Sequence, residues 1–252
     1  MTFHTTRWSL VFRAADGGPD GPAALAELCE AYWPAVHAFH RRACGDEEQA
    51  RDLTQGLFAR LLERRDLASA DPERGRFRSW LLACAQHHLV DVRRADGAEK
   101  RGGARTLPWP EDAEAGPLEP VDPAATPEEA FARAWVRALV ERALAAIVAE
   151  EVARGRGRIA HAARPFLLPG ADESANATMR TIAAELGTGE GAFKVAVHRL
   201  RERLRERIQA EVRQTVGAPD EAGDELRLLL ELSGGVLRPG PRGAGGISTP
   251  GR

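Results

Sequence analysis

The chain has little of what oxidising compartments, membranes or metal centres demand. Its 252 residues include three cysteines, Cys29, Cys44 and Cys84. Their number is odd and their spacing is not that of metal ligands, which predicts reduced, buried thiols in a cytoplasmic protein rather than a disulfide framework. No apolar run approaches the ~20 residues that cross a bilayer, so no membrane partner is expected. The N-terminal MTFHTTRWSLVFRAADGG has no basic region followed by an uninterrupted apolar stretch, so it does not read as a signal peptide. No segment alternates apolar and polar residues for long enough to predict a strand.

What is present is a helical pattern with segregated charge. Hydrophobic residues make up 43% and charged residues 29% of the chain, a globular balance. The net charge of −2 argues against a generic nucleic-acid binder, but it averages over strong blocks. Residues 72–105 carry eight Lys/Arg against four Asp/Glu, and residues 194–207 six against two. Residues 106–130 carry seven acids and no base, and residues 214–234 five acids and one base. Two basic blocks thus alternate with two acidic ones, the kind of asymmetry that marks separate nucleic-acid contacts. The segment 106–127, TLPWPEDAEAGPLEPVDPAATP, holds six prolines and reads as an extended acidic linker of at most ~75 Å. The last stretch, GGVLRPGPRGAGGISTPGR, is Gly/Pro-rich and reads as a disordered tail.

Helical periodicity fills the rest. Ala24–Arg42 predicts a helix with Leu25, Leu28, Tyr32, Val36 and Phe39 on one face and Pro34 inside it. A second helix starts at an Asp46 N-cap, with Ala50, Leu53, Leu57 and Leu61 as its core stripe and Glu48, Asp52, Gln55 and Ala59 on another face. Gly56 falls mid-helix, at ~1 kcal/mol relative to alanine, so either something packs close there or the defect is tolerated. A third helix lies in RGRFRSWLLACAQHHLVDVRR, residues 74–94, with Phe77, Trp80 or Leu81, Cys84, His88 and Val92 as its stripe. Core packing accounts for Phe77 and Trp80. It does not account for Arg74, Arg76 and Arg78, whose side chains call for water, acids or phosphates.

Beyond the linker, Glu128–Val152 predicts a long helix carrying Phe131, Trp135, Leu139, Ala143 and Ile147, broken by the RGRGR at 154–158. A short helix runs from His161 to Leu168. Then TMRTIAAELGTGEGAFKVAVHRLRERLRERI places Met179, Ile182 and Leu186 on a first helix and makes a turn at Gly187-Thr188-Gly189. A second helix follows with Phe193, Val197, Leu200, Leu204 and Ile208 as its stripe. Two short amphipathic helices around a glycine turn, the second one basic, describe a helix-turn-helix. On that second helix Lys194 and His198 can donate to guanine acceptors and Glu190 can accept from cytosine N4, while Arg199 and Arg201 fit phosphates. Arg203, Arg205 and Arg207 read instead as a solvated face with pairs such as Glu202 with Arg205. His37 and His40, three residues apart, and the adjacent His87 and His88 are the only hints of catalysis. No zinc motif accompanies either pair, so neither an enzyme nor a metal or other cofactor is expected.

At this point three motifs in order carry a resemblance. DEEQARDLTQGLFARLLE is similar to the polymerase-binding helix of extracytoplasmic-function (ECF) sigma factors, GRFRSWLLACAQHHLVDVRR to their −10-element region, and IAAELGTGEGAFKVAVHRLRERLRE to their −35-reading helix-turn-helix. TTRWSLV and the QTV…DELRLLL beyond the second domain resemble a subgroup with a C-terminal extension. The resemblance implies an all-α chain of two helical domains: a region 2 bundle (1–105) and a region 4 helix-turn-helix (128–216), joined by the acidic linker (106–127) and followed by an extension and tail (217–252). It implies a sigma factor that binds core RNA polymerase through Glu48, Asp52, Gln55 and Phe58. Promoter DNA would be bound at −10 through Arg74, Arg76, Arg78, Trp80, His87, Arg93 and Arg94, and at −35 through Glu190, Lys194, His198, Arg199 and Arg201. An anti-sigma factor or a regulatory kinase is a further partner class it leaves open. Single-stranded −10 DNA needs cations along its backbone and rings or cavities for its bases, which is what residues 74–94 combine. The rival reading is a polymerase-independent helix-turn-helix regulator, which explains the second domain but not the first.

Overall fold

The structure, a computed structural model, describes residues 7–16, 18–63, 66–99, 125–168 and 173–213. All regular structure among them is helical: α1 (Arg7–Asp16), α2 (Gly21–Cys44), α3 (Glu47–Glu63), α4 (Phe77–Glu99), α5 (Pro127–Ala153), α6 (Gly157–Ala163), α7 (Glu173–Glu185) and α8 (Glu190–Arg213). Most of the acidic linker, the extension and the tail lie outside the described residues.

Helix ends follow from local chemistry. Gly45, at φ 74°, closes α2, its N–H donating to the Arg41 carbonyl. Asp46 then caps α3, its Oδ1 accepting from the Gln49 N–H at 2.7 Å, as its place before an apolar stripe predicts. Pro34 sits inside α2 without ending it. Gly75, at φ 121° and ψ −153°, holds a conformation open almost only to glycine and divides the 3₁₀ turn Pro72–Arg74 from α4. At α5 Thr126 and Glu129 form a capping box, two orphan donors satisfied reciprocally. α5 and α7 end alike: the Gly155 and Gly187 N–H groups donate three residues back and those of Arg156 and Thr188 five residues back. Each glycine is at positive φ, the Schellman ending.

The core of the first block gathers rings around Phe77. Trp8, Tyr32 and Trp80 lie 5.8, 5.2 and 5.3 Å from it, centroid to centroid. Ala50, Leu53, Leu57 and Leu61 of α3 are all buried, as their spacing predicts. The α4 stripe is rotated from the expected one. Phe77, Leu81, Ala85 and Leu89 are buried, whereas Trp80, Cys84, His88 and Val92 are only half-buried. In the second block Phe131, Trp135, Leu139, Ala143 and Ile147 of α5 and Phe193, Val197, Leu200, Leu204 and Ile208 of α8 are buried, again as the spacing predicts. The expected helix from His161 to Leu168 is instead α6 followed by a 3₁₀ turn at Arg164–Phe166, since Pro165 supplies no N–H to continue it. α5 packs on α2 more extensively than any other pair of elements, and also on α6 and α8.

Candidate nucleic-acid and polymerase interface

On α3 the outward face carries the expected polar set. Glu48 and Asp52 are exposed and Gln55 is half-buried. Phe58 departs from that set. It is buried, and Trp33 of α2 stacks on it at 5.7 Å and 18°. Phe58 therefore joins α2 to α3 and is not presented at the surface; it lies about 60° around the helix from Gln55 and about 120° from Asp52, at the edge where the polar face meets α2. On the opposite side, Arg60 donates to Asp91 of α4 at 2.8 Å.

The basic stretch at α4 divides. Arg74 is 86% exposed, 3.6 Å from Asp71, while Arg76 stands before the helix, its carbonyl accepting from Ser79 and Trp80. His87 and Arg94 are exposed. Arg93 is exposed too, and donates to the Ala43 carbonyl at 2.9 Å. Arg78 overturns the expectation that these cations all face water, acids or phosphates. It is 9% exposed, with its guanidinium 5.1 Å over the ring of Trp135 on α5. A weakly hydrated planar cation on an indole face is a favourable cation–π pair. Sequence reasoning missed it because Trp135 lies across the linker.

His37 and His40 each have a partner of their own on α3, and the rings of His40 and His88 meet edge-on at 6.3 Å. His37 Nε2 is 3.2 Å from Glu47 and His40 Nδ1 is 2.9 Å from Thr54 Oγ1. The Thr54 hydroxyl donates to the Ala50 carbonyl at 2.7 Å, so His40 is the donor in its own bond and carries its proton on Nδ1. Among the described residues no group of three or more His, Cys, Asp or Glu is placed to hold a metal ion. All three cysteines are free. Burial pushes the Cys29 thiol up to about 12 and the Cys84 thiol up to about 11, which makes both unreactive.

On α8, Glu190 forms a cluster with Lys194 at 2.8 Å and Arg180 of α7 at 3.0 Å. Both cations hold its carboxyl below the usual carboxylate range, Lys194 most. Lys194, His198 and Arg199 are exposed. Arg201 is half-buried and donates from Nε to the Phe166 carbonyl at 2.7 Å, so it ties α8 to the preceding turn. The expected pair Arg205–Glu202 forms. Arg203 and Arg207 are not a free solvated face: Arg203 reaches Glu150 and Glu151, and Arg207 reaches Glu150 at 2.7 Å. Glu151, buried, also accepts from Arg154 and twice from Arg156. These hydrogen bonds, Arg156 foremost, bring its carboxyl down to about 2. RGRGR is thus a source of cations for one buried carboxylate, a role invisible without knowing that α5 and α8 pack together.

Residues 28–99 match the family described as Sigma-70 region 2. That match defines the first helical block as a sigma-70 region 2 domain. A region 2 domain implies a sigma factor, the class of transcription-initiation protein that binds core RNA polymerase and takes part in promoter recognition. No curated protein and no solved structure gave a match to the chain. Among the described residues no helix is long and apolar enough to cross a membrane.

Proposed function

We propose that the protein is a two-domain sigma factor of the extracytoplasmic-function type. Its region 2 block docks on core RNA polymerase and holds −10 DNA, and its second block (128–216) is a region 4 helix-turn-helix that reads a −35 element. The observation that carries the reading is the pairing of a sigma-70 region 2 domain with a second unit, α7–glycine turn–α8, whose long helix displays Lys194, His198 and Arg199. On α3, Glu48, Asp52 and Gln55 are the polymerase contacts, with Phe58 shaping the face from beneath. Arg74, Arg76, Trp80, His87, Arg93 and Arg94 serve the −10 strand, and Arg78 joins them once it leaves Trp135. Glu190, Lys194 and His198 face bases, Arg199 a phosphate, and Arg201 sets the pitch of α8. The chain belongs with the subgroup that carries a C-terminal extension, here 217–252, and an anti-sigma factor or a regulatory kinase is its further partner class.

The test is run-off transcription with purified chain and core polymerase on a promoter library. Selected promoters should share two elements separated by a fixed spacer. Tight, sequence-specific DNA binding without polymerase, and no transcription with it, would overturn this reading in favour of a polymerase-independent regulator.

A further inference from the structure

One large apolar side chain of α8 is on the wrong side of the helix. Phe193, Val197, Leu200, Leu204, Ile208 and Val212 are all buried, whereas Val195 is 50% exposed. Valine is β-branched, loses χ1 freedom against the preceding turn and forms helix less readily than alanine. At Val195 no burial in the core offsets that cost. Single exposed apolar residues are ordinary on protein surfaces, so what distinguishes this one is its surroundings.

Val195 lies in the second turn of α8, among the groups that face DNA in the reading above. Gly191 stands one turn before it, and His198 and Arg199 one turn after it, at spacings that share a helix face. All three are exposed, as is the adjacent Lys194. The Lys194 ammonium is drawn toward Glu190, 2.8 Å away, and Arg180 of α7 reaches the same carboxylate at 3.0 Å. A Cβ placed on Gly191 would meet nothing within 4 Å, so the helix surface beside the valine is bare. Two methyl groups thus stand in a gap flanked by hydrogen-bonding and cationic side chains, with exposed backbone on one side.

The first turns of a helix in the major groove come nearest the base edges. Guanine, cytosine and adenine present acceptors and donors there, and thymine alone adds a methyl group, at C5. Val195 has no atom that donates or accepts. Set over the other bases it would strip water from polar groups without replacing its hydrogen bonds, which is costly. Set over thymine it covers an apolar group. We propose that Val195 is a specificity-determining residue that selects thymine at one position of the upstream element by covering its C5 methyl. Lys194 and His198 make their hydrogen bonds to neighbouring bases, and Gly191 lets α8 approach closely enough for the methyl contact. The inference rests on the helix-turn-helix reading of α7 and α8.

The experiment removes the methyl and the valine separately. Full-length chain and core polymerase are combined, and upstream elements are selected from a randomised library by run-off transcription. Each thymine of the selected element, on either strand, is then replaced in turn by deoxyuridine, which lacks the C5 methyl and keeps every hydrogen-bonding group. For the parent, one replacement should lower transcription at sub-saturating protein about four-fold, the effect of uncovering one methyl-sized group, and the others should change it little. Val195→Ala should have lost most of that sensitivity at the same position while binding core polymerase and melting like the parent. Val195→Asn, which can pair with adenine N6 and N7, should shift the base selected there from thymine toward adenine. A parent indifferent to every deoxyuridine, or Val195→Ala as sensitive as the parent at the same thymine, would overturn the role of Val195 and leave the helix-turn-helix reading standing. Transcription that selects no upstream element would overturn that reading and this inference with it.

Discussion

A methyl group placed on Gly56 would lie 3.1 Å from Nε2 of His88. That is tighter than ordinary contact, so the glycine in the middle of α3 is the space into which the α4 imidazole fits. Glycine costs ~1 kcal/mol there relative to alanine, and on a free face Gly56→Ala would recover it. Here the gain is offset by displacement of a packed ring, so Gly56→Ala should leave stability within about 0.5 kcal/mol of the parent. Gly56→Val, with two more carbons aimed at His88, should destabilise by about 1–3 kcal/mol. Urea denaturation of the three proteins measures both; a full ~1 kcal/mol gain for the alanine variant would show that His88 does not set this residue.

His40 makes the region 2 block sensitive to acid. It is fully buried, and burial, reinforced by His88, holds its imidazole down at about 3. In the unfolded chain it titrates near 6.5. Between those values the unfolded state binds a proton that the native state refuses, so stability is intact above about 6.5 and falls as pH drops toward 3. The slope should approach 1.4 kcal/mol per pH unit. His40→Gln, which keeps an N–H for Thr54 and cannot titrate, should flatten that slope. Denaturation midpoints at pH 7.5, 6.5 and 5.5 decide it, and parallel curves for parent and variant would remove His40 as the cause.

The polymerase face separates surface from support. Asp52 and Gln55 are not needed for the α3 core, so replacing both by alanine should weaken core-polymerase binding while moving the melting temperature little. Phe58→Ala should do the reverse in kind. Losing a buried ring stacked on Trp33 costs about 3–5 kcal/mol of stability, and any loss of polymerase binding should follow that unfolding. A binding titration beside thermal melts separates the two. Loss of affinity for Phe58→Ala at a temperature where it is fully folded would return Phe58 to the contact surface.

The elements were legible where chemistry is local and became illegible where it crosses the linker. The α3 and α8 stripes, the Asp46 cap and the glycine turn before α8 all depend on residues a few positions apart, and periodicity and capping preference report them directly. Periodicity leaves Trp80 or Leu81 open on α4 because both are apolar, and the buried Ala85 and Leu89 lie one position from the expected Cys84 and His88. Only packing against Phe77's aromatic neighbours decides which of them points inward. Arg78, Arg203 and Arg207 looked like solvent-facing cations because their partners, Trp135, Glu150 and Glu151, are between 52 and 57 residues away. Sequence spacing carries no signal for such pairs. Arg201 reads as a phosphate contact from its helix position alone, and its bond to the Phe166 carbonyl comes from a turn that apolar periodicity does not register.

The α8 cations should divide by what they touch. Lys194 is exposed and pairs with Glu190 within its own helix, so DNA can replace that partner at little cost. Lys194→Ala should lose ~1–3 kcal/mol of binding and relax preference at one or two positions. Arg199→Ala should weaken all sites about equally and reduce the salt dependence of binding by about one phosphate contact. Arg201→Ala should behave like neither. Its guanidinium is occupied by the Phe166 carbonyl, and Phe166 meets Phe193 edge-on at 6.1 Å in the core beneath α8. Its loss should therefore lower the melting temperature and weaken binding without changing the salt slope. Selection of binding sites at two salt concentrations, with a melt of each variant, reads all three. Arg201→Ala reducing the salt slope at unchanged stability would place that residue on phosphate and leave the turn to be held by its apolar contacts.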